Sequence, residues 1–543
     1  MTISSYEVPK PVNEPRLSFL SGTPERQELR QELGRLKELS PEIPLVIGGE
    51  KRKTGDFGKC RCPHNHELDL GKYHKVGSKD VEDAIEAALE AKKTWAAMPW
   101  ESRVSIFLKA AEMLAGPWRQ TLNAATMLGQ SKNVLQAEID AACELIDFIR
   151  FNCYFAQVVS QDQPYSPRGI WNRLEQRPLD GFVYAVTPFN FTAIAGNLPT
   201  APAMMGNTVL WKPASSAVFS AWIFMQLLEE AGMPPGVINF LPGSGSTISD
   251  VVLPHPDLAG IHFTGSTEVF QQMWKSVGGN IEKYRSYPRI VGETGGKDFI
   301  FLHETAKVEE AAVAIVRGAY EYQGQKCSAA SRAYVPDNLW PDLKERVIEE
   351  TKKVKMGDVE DFSCLVNAVI DESAFKRISG YIDYAKDAKD AEIIVGGAYD
   401  SSKGWFIEPT VIATTDPHFK TMEEEIFGPV ITIYVYEASK YSETLKICDE
   451  TSPYALTGAV FSRDRAAVME ACEVLKNAAG NFYINDKPTG SIVGQQPFGG
   501  ARASGTNDKA GSRSNIQRWV STRVIKETFC PPKEVSYPYM TSD

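Results

Sequence analysis

Long apolar runs are missing from this chain. The longest, AVFSAWIFMQLL at 217–228, falls well short of the ~20 residues that a bilayer span needs, and Ser and Gln interrupt it. No secretory leader is visible, because the first twenty residues hold three Pro, two Glu and one Arg and no apolar centre. The same acids make them a poor mitochondrial presequence. An excess of positive charge is missing too. With a net charge of −11, the chain is not expected to bind nucleic acid or anionic membranes, whose affinity rests on Lys and Arg. The nine cysteines (60, 62, 143, 153, 327, 364, 448, 472 and 530) are odd in number and lack paired spacing, which excludes a disulfide framework and favours a reducing compartment. Histidine is scarce. None of the seven stands in a pairing motif, which disfavours a cysteine hydrolase or transferase with a His base.

One local cluster runs against this sparseness. In CRCPHNH (60–66), Cys60, Cys62, His64 and His66 alternate, so a strand would turn all four to one side. The usual zinc spacings, two to four residues between Cys and three to five between His, are absent. The expectation is an exposed N-terminal strand and no metal.

What is present is an ordinary globular composition, 43% hydrophobic and 23% charged, with length for roughly three to four domain-sized units. Helical spacing of apolar residues occurs at 81–96, near 101–114 and over 134–158. Then the rhythm changes. FVYAV (182–186), TVLWKP (208–213), VINFLP (237–242) and IHFTGS (261–266) are short β-rich runs, separated by longer segments that include the helical SAVFSAWIFMQLLEEAG (216–232). Strand and helix in alternation predict a parallel, doubly wound α/β sheet, which binds ligands at the carboxyl ends of its strands.

The unusual residues fall at those ends: TPFNF (187–191), KP (212–213), PGSGS (242–246), TGS (264–266) and, after a further apolar stretch, GETGG (292–296). Such turns let backbone N–H groups approach phosphate. The dinucleotide fingerprint is incomplete, since GSGSTI (243–248) has Ile248 where the third glycine belongs. Downstream, EYQGQKCSAASR (321–332) sets Cys327 among small and polar residues. Most cysteines in soluble enzymes are buried packing residues, so Cys327 is a candidate nucleophile only in company.

The company is there. TPFNF, LWKP, FTGS, GETGGK, GQKCSAASR, EEIFGPV and PFGG stand in the order and approximate spacing of the aldehyde dehydrogenase superfamily, and the resemblance runs from about residue 42 to 530. NFYINDKPTGSIVGQQPFGGARASGTNDK (481–509), ELIDFIRFN (144–152) and VIKETF (524–529) resemble the L-glutamate γ-semialdehyde (1-pyrroline-5-carboxylate) dehydrogenases in their eukaryotic single-function form. The resemblance implies a Rossmann-type NAD-binding unit formed by residues 1–160 and 180–293, with N-terminal helices beside the sheet. It implies a catalytic α/β unit over 294–518, and oligomerisation segments at 161–179 (a hairpin) and 519–543. It also implies oxidation of the semialdehyde to glutamate in proline degradation, in a homodimer or larger assembly in the mitochondrial matrix. A general aldehyde dehydrogenase and a cytoplasmic location are the alternatives.

Site residues follow by the same resemblance. Cys327 is the nucleophile, since an aldehyde carbon calls for a thiolate. Asn190 donates to the oxyanion and Glu293 is the general base. Acylating relatives usually lack that Glu, so a free acid is the expected product. Thr187, Lys212, Gly265, Ser266, Thr267, Glu268, Val269, Glu425 and Phe427 are implied to bind NAD. Many NAD-specific relatives carry a Glu three residues after this Lys; here that position is Ser215, which leaves NADP open. Gly490 and Ser491 of the PTGSIVGQ anchor loop, with Ser328, are implied to hold the substrate carboxylate, with Phe191 and Phe498 as aromatic walls and Glu144 as a wall or charge partner. No metal is expected.

Overall fold

A computed structural model describes residues 6–540 of the chain. Two seven-stranded sheets dominate it. In the first, Arg289–Glu293, Leu258–Thr264, Phe182–Val186, Val209–Lys212 and Ile238–Phe240 lie side by side and parallel. Leu45–Ile47 and Glu50–Arg52 extend that edge antiparallel. Parallel strands are covered on both faces and so read as continuous apolar runs. FVYAV obeys this. Val183 and Ala185 point into one core, and Phe182, Tyr184 and Val186 into the other.

The second sheet repeats the device. Phe299 and Phe301 enter one core while Ile300 and Leu302 enter another. Its order is Ala391–Val395, Thr410–Thr414, Val430–Tyr436, Ala330–Pro336, Asp298–Leu302, Thr457–Phe461 and Asn481–Ile484, parallel except for the first pair. No helix among the described residues is long and apolar enough to cross a membrane.

Four local expectations are revised. The helical run over 134–158 is broken by a π-helical stretch, Glu138–Glu144, between Val134–Ala137 and Leu145–Gln161. Such bulges recur at functional sites because they re-aim side chains. The expected hairpin at 161–179 folds on itself through side chains and not through a backbone ladder: Gln163 exchanges hydrogen bonds with Leu174 N and O at 2.9 and 3.2 Å, and Ser166 Oγ accepts from Asn172 N at 2.9 Å. Ile170–Pro178 pairs antiparallel with the distant Val520–Thr528, and Pro164 and Pro167, which lack N–H donors, keep the preceding residues out of the ladder. The limit placed at residue 518 does not coincide with packing, because Val493, Ile516 and Trp519 share the core of the first sheet. The CRCPHNH segment is not an exposed strand. The strand Phe57–Arg61 ends inside it, Cys60, Cys62 and His64 are buried, and only His66 is exposed, against Trp405. Cys62 Sγ lies 3.2 Å from His64 Nε2, whose Nδ1 meets Ser131 Oγ at 3.1 Å. Among the described residues no three His, Cys, Asp or Glu side chains gather as a metal site. Residues 1–5 and 541–543, which end the expected nucleotide-binding and oligomerisation segments, lie outside the described residues.

Before the first helix, Pro24–Leu39, the chain has no regular structure, yet it is tied down. Glu14 receives Arg119 and Arg150, each at 2.6 Å, and Leu17 N donates to Glu138 at 2.8 Å. We call residues 8–18 the strap.

Candidate active site

The strand order of the first sheet reverses between Phe182–Val186 and Leu258–Thr264, and there a cleft of about 1120 Å³ opens. A doubly wound sheet has space at this point because neighbouring crossovers leave to opposite faces. Thr187, Asn190 and Lys212 line it from the ends of the first two strands. Gly265, Ser266, Glu268 and Val269 line it from the turn and helix that follow Leu258–Thr264. Cys327, Glu425 and Phe427 close it from the second sheet's side.

The nucleophile loop is held under strain. Tyr322, Gln323 and Gly324 have φ of 52°, 54° and 64°, and left-handed conformations cost non-glycine residues about 1 kcal/mol or more each. Their surroundings enforce it. Tyr322 OH donates to Gln130 O at 3.0 Å, and Gln323 Nε2 donates to the carbonyls of Ser131 and Ala368, both at 2.9 Å. Asn190 Nδ2 donates to Gln325 O at 3.1 Å, which docks the TPFNF turn against the loop that carries Cys327. Burial, followed by the carboxyls of Asp298, Glu293, Glu425 and Glu144, pushes the Cys327 thiol well above its ordinary range.

Glu293 ends the strand Arg289–Glu293 and is partly open. Its Oε2 accepts from Gly500 N at 2.8 Å, so in this structure the carboxyl is turned toward the PFGG segment. Burial raises its pKa well above the usual carboxylate range. Glu425 Oε1 accepts from Gly296 N at 2.8 Å, and a Cβ on Gly295 would sit 2.4 Å from its other oxygen. The glycine pair of GETGGK therefore makes room for this carboxylate. Phe427 (φ 54°) packs edge-on to Phe189 with ring centroids 5.8 Å apart.

The nucleotide side suits a dinucleotide. Among the described residues the Lys212 amine has no acceptor, and burial lowers its pKa to about 8. An unpaired amine in a polar cleft calls for a ligand oxygen. The helix Thr267–Gly279 begins here, capped by Ser266, whose Oγ accepts from Val269 N, and a helix N-terminus favours phosphate. Thr187 Oγ1 is taken by Trp211 Nε1 at 3.1 Å. Thr267 does not line the cleft, because its hydroxyl turns to Tyr454 OH at 3.3 Å. Ser215 is exposed, opening a short 3₁₀ turn just beyond Lys212.

The expected substrate residues stand apart from that cleft. Ser328 is buried and donates to Thr489 Oγ1 at 3.0 Å, which ties the nucleophile loop to the PTGS loop. Gly490 has φ 100°, a backbone that favours glycine. Ser491 is part-exposed, and Phe498 is bridged to Ala510. Glu144 ends the π-helical stretch, and burial together with nearby Asp140 pushes its pKa up to about 8.

The sequence reading missed the charges beneath these residues. Lys132 and Asp140 form a wholly buried ion pair at 2.6 Å. The two Asp140 oxygens also accept from Thr192 N and Ala193 N at 2.9 and 2.8 Å, and so cap the helix that Phe191 opens. The Lys132 ammonium lies 4.0 Å from the Phe191 ring and 4.4 Å from that of Tyr322, so one pair secures both the PFNF turn and the strained loop. A signal existed: acids at 138, 140 and 147 inside the apolar AEIDAACELIDFI are buried polar residues, which need partners.

Comparison with known proteins bears on the whole chain. Residues 51–525 match the family described as "Aldehyde dehydrogenase family". The mitochondrial Delta-1-pyrroline-5-carboxylate dehydrogenase of Dictyostelium discoideum is 54% identical, over 98% of this chain and 96% of its own length. That of Homo sapiens is 50% identical, over 98% and 94%. The crystal structure of the Mycobacterium tuberculosis enzyme bound with NAD superposes with a TM-score of 0.96 at 51% identity, and all of each chain is covered.

Proposed function

The chain belongs to the aldehyde dehydrogenase family, and from that premise we propose that it oxidises L-glutamate γ-semialdehyde, the open form of 1-pyrroline-5-carboxylate, to L-glutamate with NAD. The observation that carries the reading is that Cys327 and Asn190 line one cleft with Lys212, Ser266 and Glu425, while Ser328, next to the nucleophile, is hydrogen-bonded to the PTGS loop.

The chemistry follows from what these groups offer. The Cys327 thiol loses its proton and the thiolate adds to the aldehyde carbon. The oxyanion so formed receives N–H groups from Asn190 and from Cys327 itself; one such donor contributes on the order of 10²–10³ in rate. Lys212, Ser266 and Glu425 would hold NAD, which would supply the hydride acceptor; Cys327 then carries the acyl group as a thioester. Glu293 swings from Gly500, takes a proton from water, and the hydroxide displaces the thiol to give the acid.

Recognition of an amino acid head group rests on the PTGS loop. The backbone N–H groups of Gly490 and Ser491 and the Ser491 hydroxyl have no partner within the described residues, so they are free for a carboxylate. Glu144 faces the ammonium, and Phe191 and Phe498 flank the methylenes. The ribbon of Ile170–Pro178 and Val520–Thr528 leaves Trp171 and Val524 exposed by 51% and 65%. An isolated two-stranded sheet is marginal in water, which supports a homodimer or larger assembly that covers it. The mitochondrial names of several relatives support the mitochondrial matrix.

The test is NADH absorbance over a panel of aldehydes, with Cys327→Ser beside the native chain. We expect strong preference for glutamate semialdehyde over propanal, because polar groups built for a carboxylate are left unpaired without one, at a cost of ~10⁴-fold or more. Cys327→Ser is expected to retain NAD binding and lose turnover. Equal efficiency on propanal would leave a general aldehyde dehydrogenase.

A further inference from the structure

We propose that the N-terminal strap is a specificity device, with Asn13 as the positioning residue that latches the anchor loop. This rests on the reading of Gly490 and Ser491 as the carboxylate site.

The loop from Pro488 to Gln496 has no regular secondary structure, so it must be fixed from outside. Its near flank is held by Thr489, through Ser328 Oγ at 3.0 Å and through Lys487 Nζ on Thr489 O at 2.9 Å. Its far flank is held by the strap. Asn13 Nδ2 donates to Val493 O at 2.8 Å, and Asn13 Oδ1 accepts from Gln495 Nε2 at 2.9 Å. The same amide nitrogen donates to Asp147 Oδ2 at 2.8 Å, and Glu14 N donates to Asp147 Oδ1 at 2.7 Å.

One side chain thus joins the loop to the helix Leu145–Gln161, directly after the π-helical stretch that ends in Glu144. The strap itself does not slide. Arg119 and Arg150 grip Glu14, and Arg119 Nη2 donates to Pro15 O at 2.9 Å. Between the two fixed flanks lie Gly490 and Ser491, whose donors are unused. Cutting the far tether widens the loop's motion without touching Cys327, Asn190 or the nucleotide cleft, and only a substrate with a carboxylate detects that loss of order.

The experiment uses the full chain with Asn13→Ala, Asn13→Asp and Ser491→Ala, assayed on glutamate semialdehyde and on propanal. Two tethering hydrogen bonds removed predict about a tenfold fall in kcat/KM for glutamate semialdehyde, carried by KM, with propanal unchanged. Asn13→Asp is expected to do worse than Ala, since a carboxylate would face Val493 O and Asp147. The double variant Asn13→Ala/Ser491→Ala is expected to lose little beyond Ser491→Ala, because both act on one contact. The proposal is overturned if Asn13→Ala hurts both substrates alike, or neither, while Ser491→Ala remains selective. If Ser491→Ala is itself unselective, the anchor-loop reading fails and the latch falls with it.

Discussion

The two walls of the cleft are built on different principles. The wall from the first sheet is made of strand ends, small residues and backbone N–H groups, with one unpaired cation, Lys212. The groups around the nucleophile rest on buried charge: Lys326 on Glu321, and Lys297 with Asp298, Glu425 and Arg332 close by, on the second sheet's side, with Lys132 on Asp140 beneath the PFNF turn. Lys297 is lowered to about 7 and Asp298 raised to about 8, both chiefly by burial. The nucleotide side offers strand-end turns, a helix N-terminus and a few side chains, Lys212 among them. A thiol that must change charge during the reaction needs surroundings whose charges are themselves locked in place.

Changes to the ionisable groups around the nucleophile, Glu293 at the end of the first sheet's edge strand included, are therefore expected to weigh more than changes at the nucleotide contacts, and they can be ranked. Glu293→Gln leads: hydride transfer once per site, seen as a burst of NADH, followed by steady turnover lower by roughly 10²–10⁴. Steady turnover at the native rate would remove Glu293 from the mechanism. Next comes Asp140→Leu, which strands the Lys132 charge and should cost about 3–5 kcal/mol of stability; adding Lys132→Met should recover much of that loss. Calorimetric melting of both variants decides this, and equal melting temperatures for the single and double variants would mean the pair is not the issue.

The pH profile comes third. Because the thiol pKa is raised, the thiolate is the minor form at neutral pH, and kcat/KM should climb about tenfold per pH unit as pH rises toward the thiol pKa. A profile flat from pH 6 to 9 would mean that binding NAD or substrate has already ionised Cys327. The smallest effect is expected on the nucleotide wall. Ser215→Glu should lower NADP efficiency about tenfold, through repulsion of a 2′-phosphate, and spare NAD. Loss of both cofactors together would place Ser215 elsewhere in the site.

The same contrast explains what could be read from sequence. The nucleotide wall was legible because it is local: strand, turn and helix follow one another in the chain, and FVYAV, LWKP and FTGS mark their own positions. The nucleophile was legible through the company of motifs around it. The hold on the nucleophile loop and the PFNF turn was not, because its contacts join residues far apart, such as Tyr322 with Gln130 or Asp140 with Thr192, and periodicity carries no record of them. The π-helical stretch escaped for a related reason, since it shifts the register of an apolar pattern by one residue without interrupting it. The burial of His64 depends on Ser131 and Asp358, which the alternating CRCPHNH could not announce.

The strap also sets a timetable. Asn13 finds Val493 across 480 positions of chain. At ribosomal speeds of 5–20 residues per second, the first residues of a nascent chain wait roughly 25–100 s for that partner to be made. The strand Ile170–Pro178 waits likewise for Val520–Thr528. Asn13 is thus secured only after Val493 has been made, and the loop that reads the substrate's head group reaches its final shape only then.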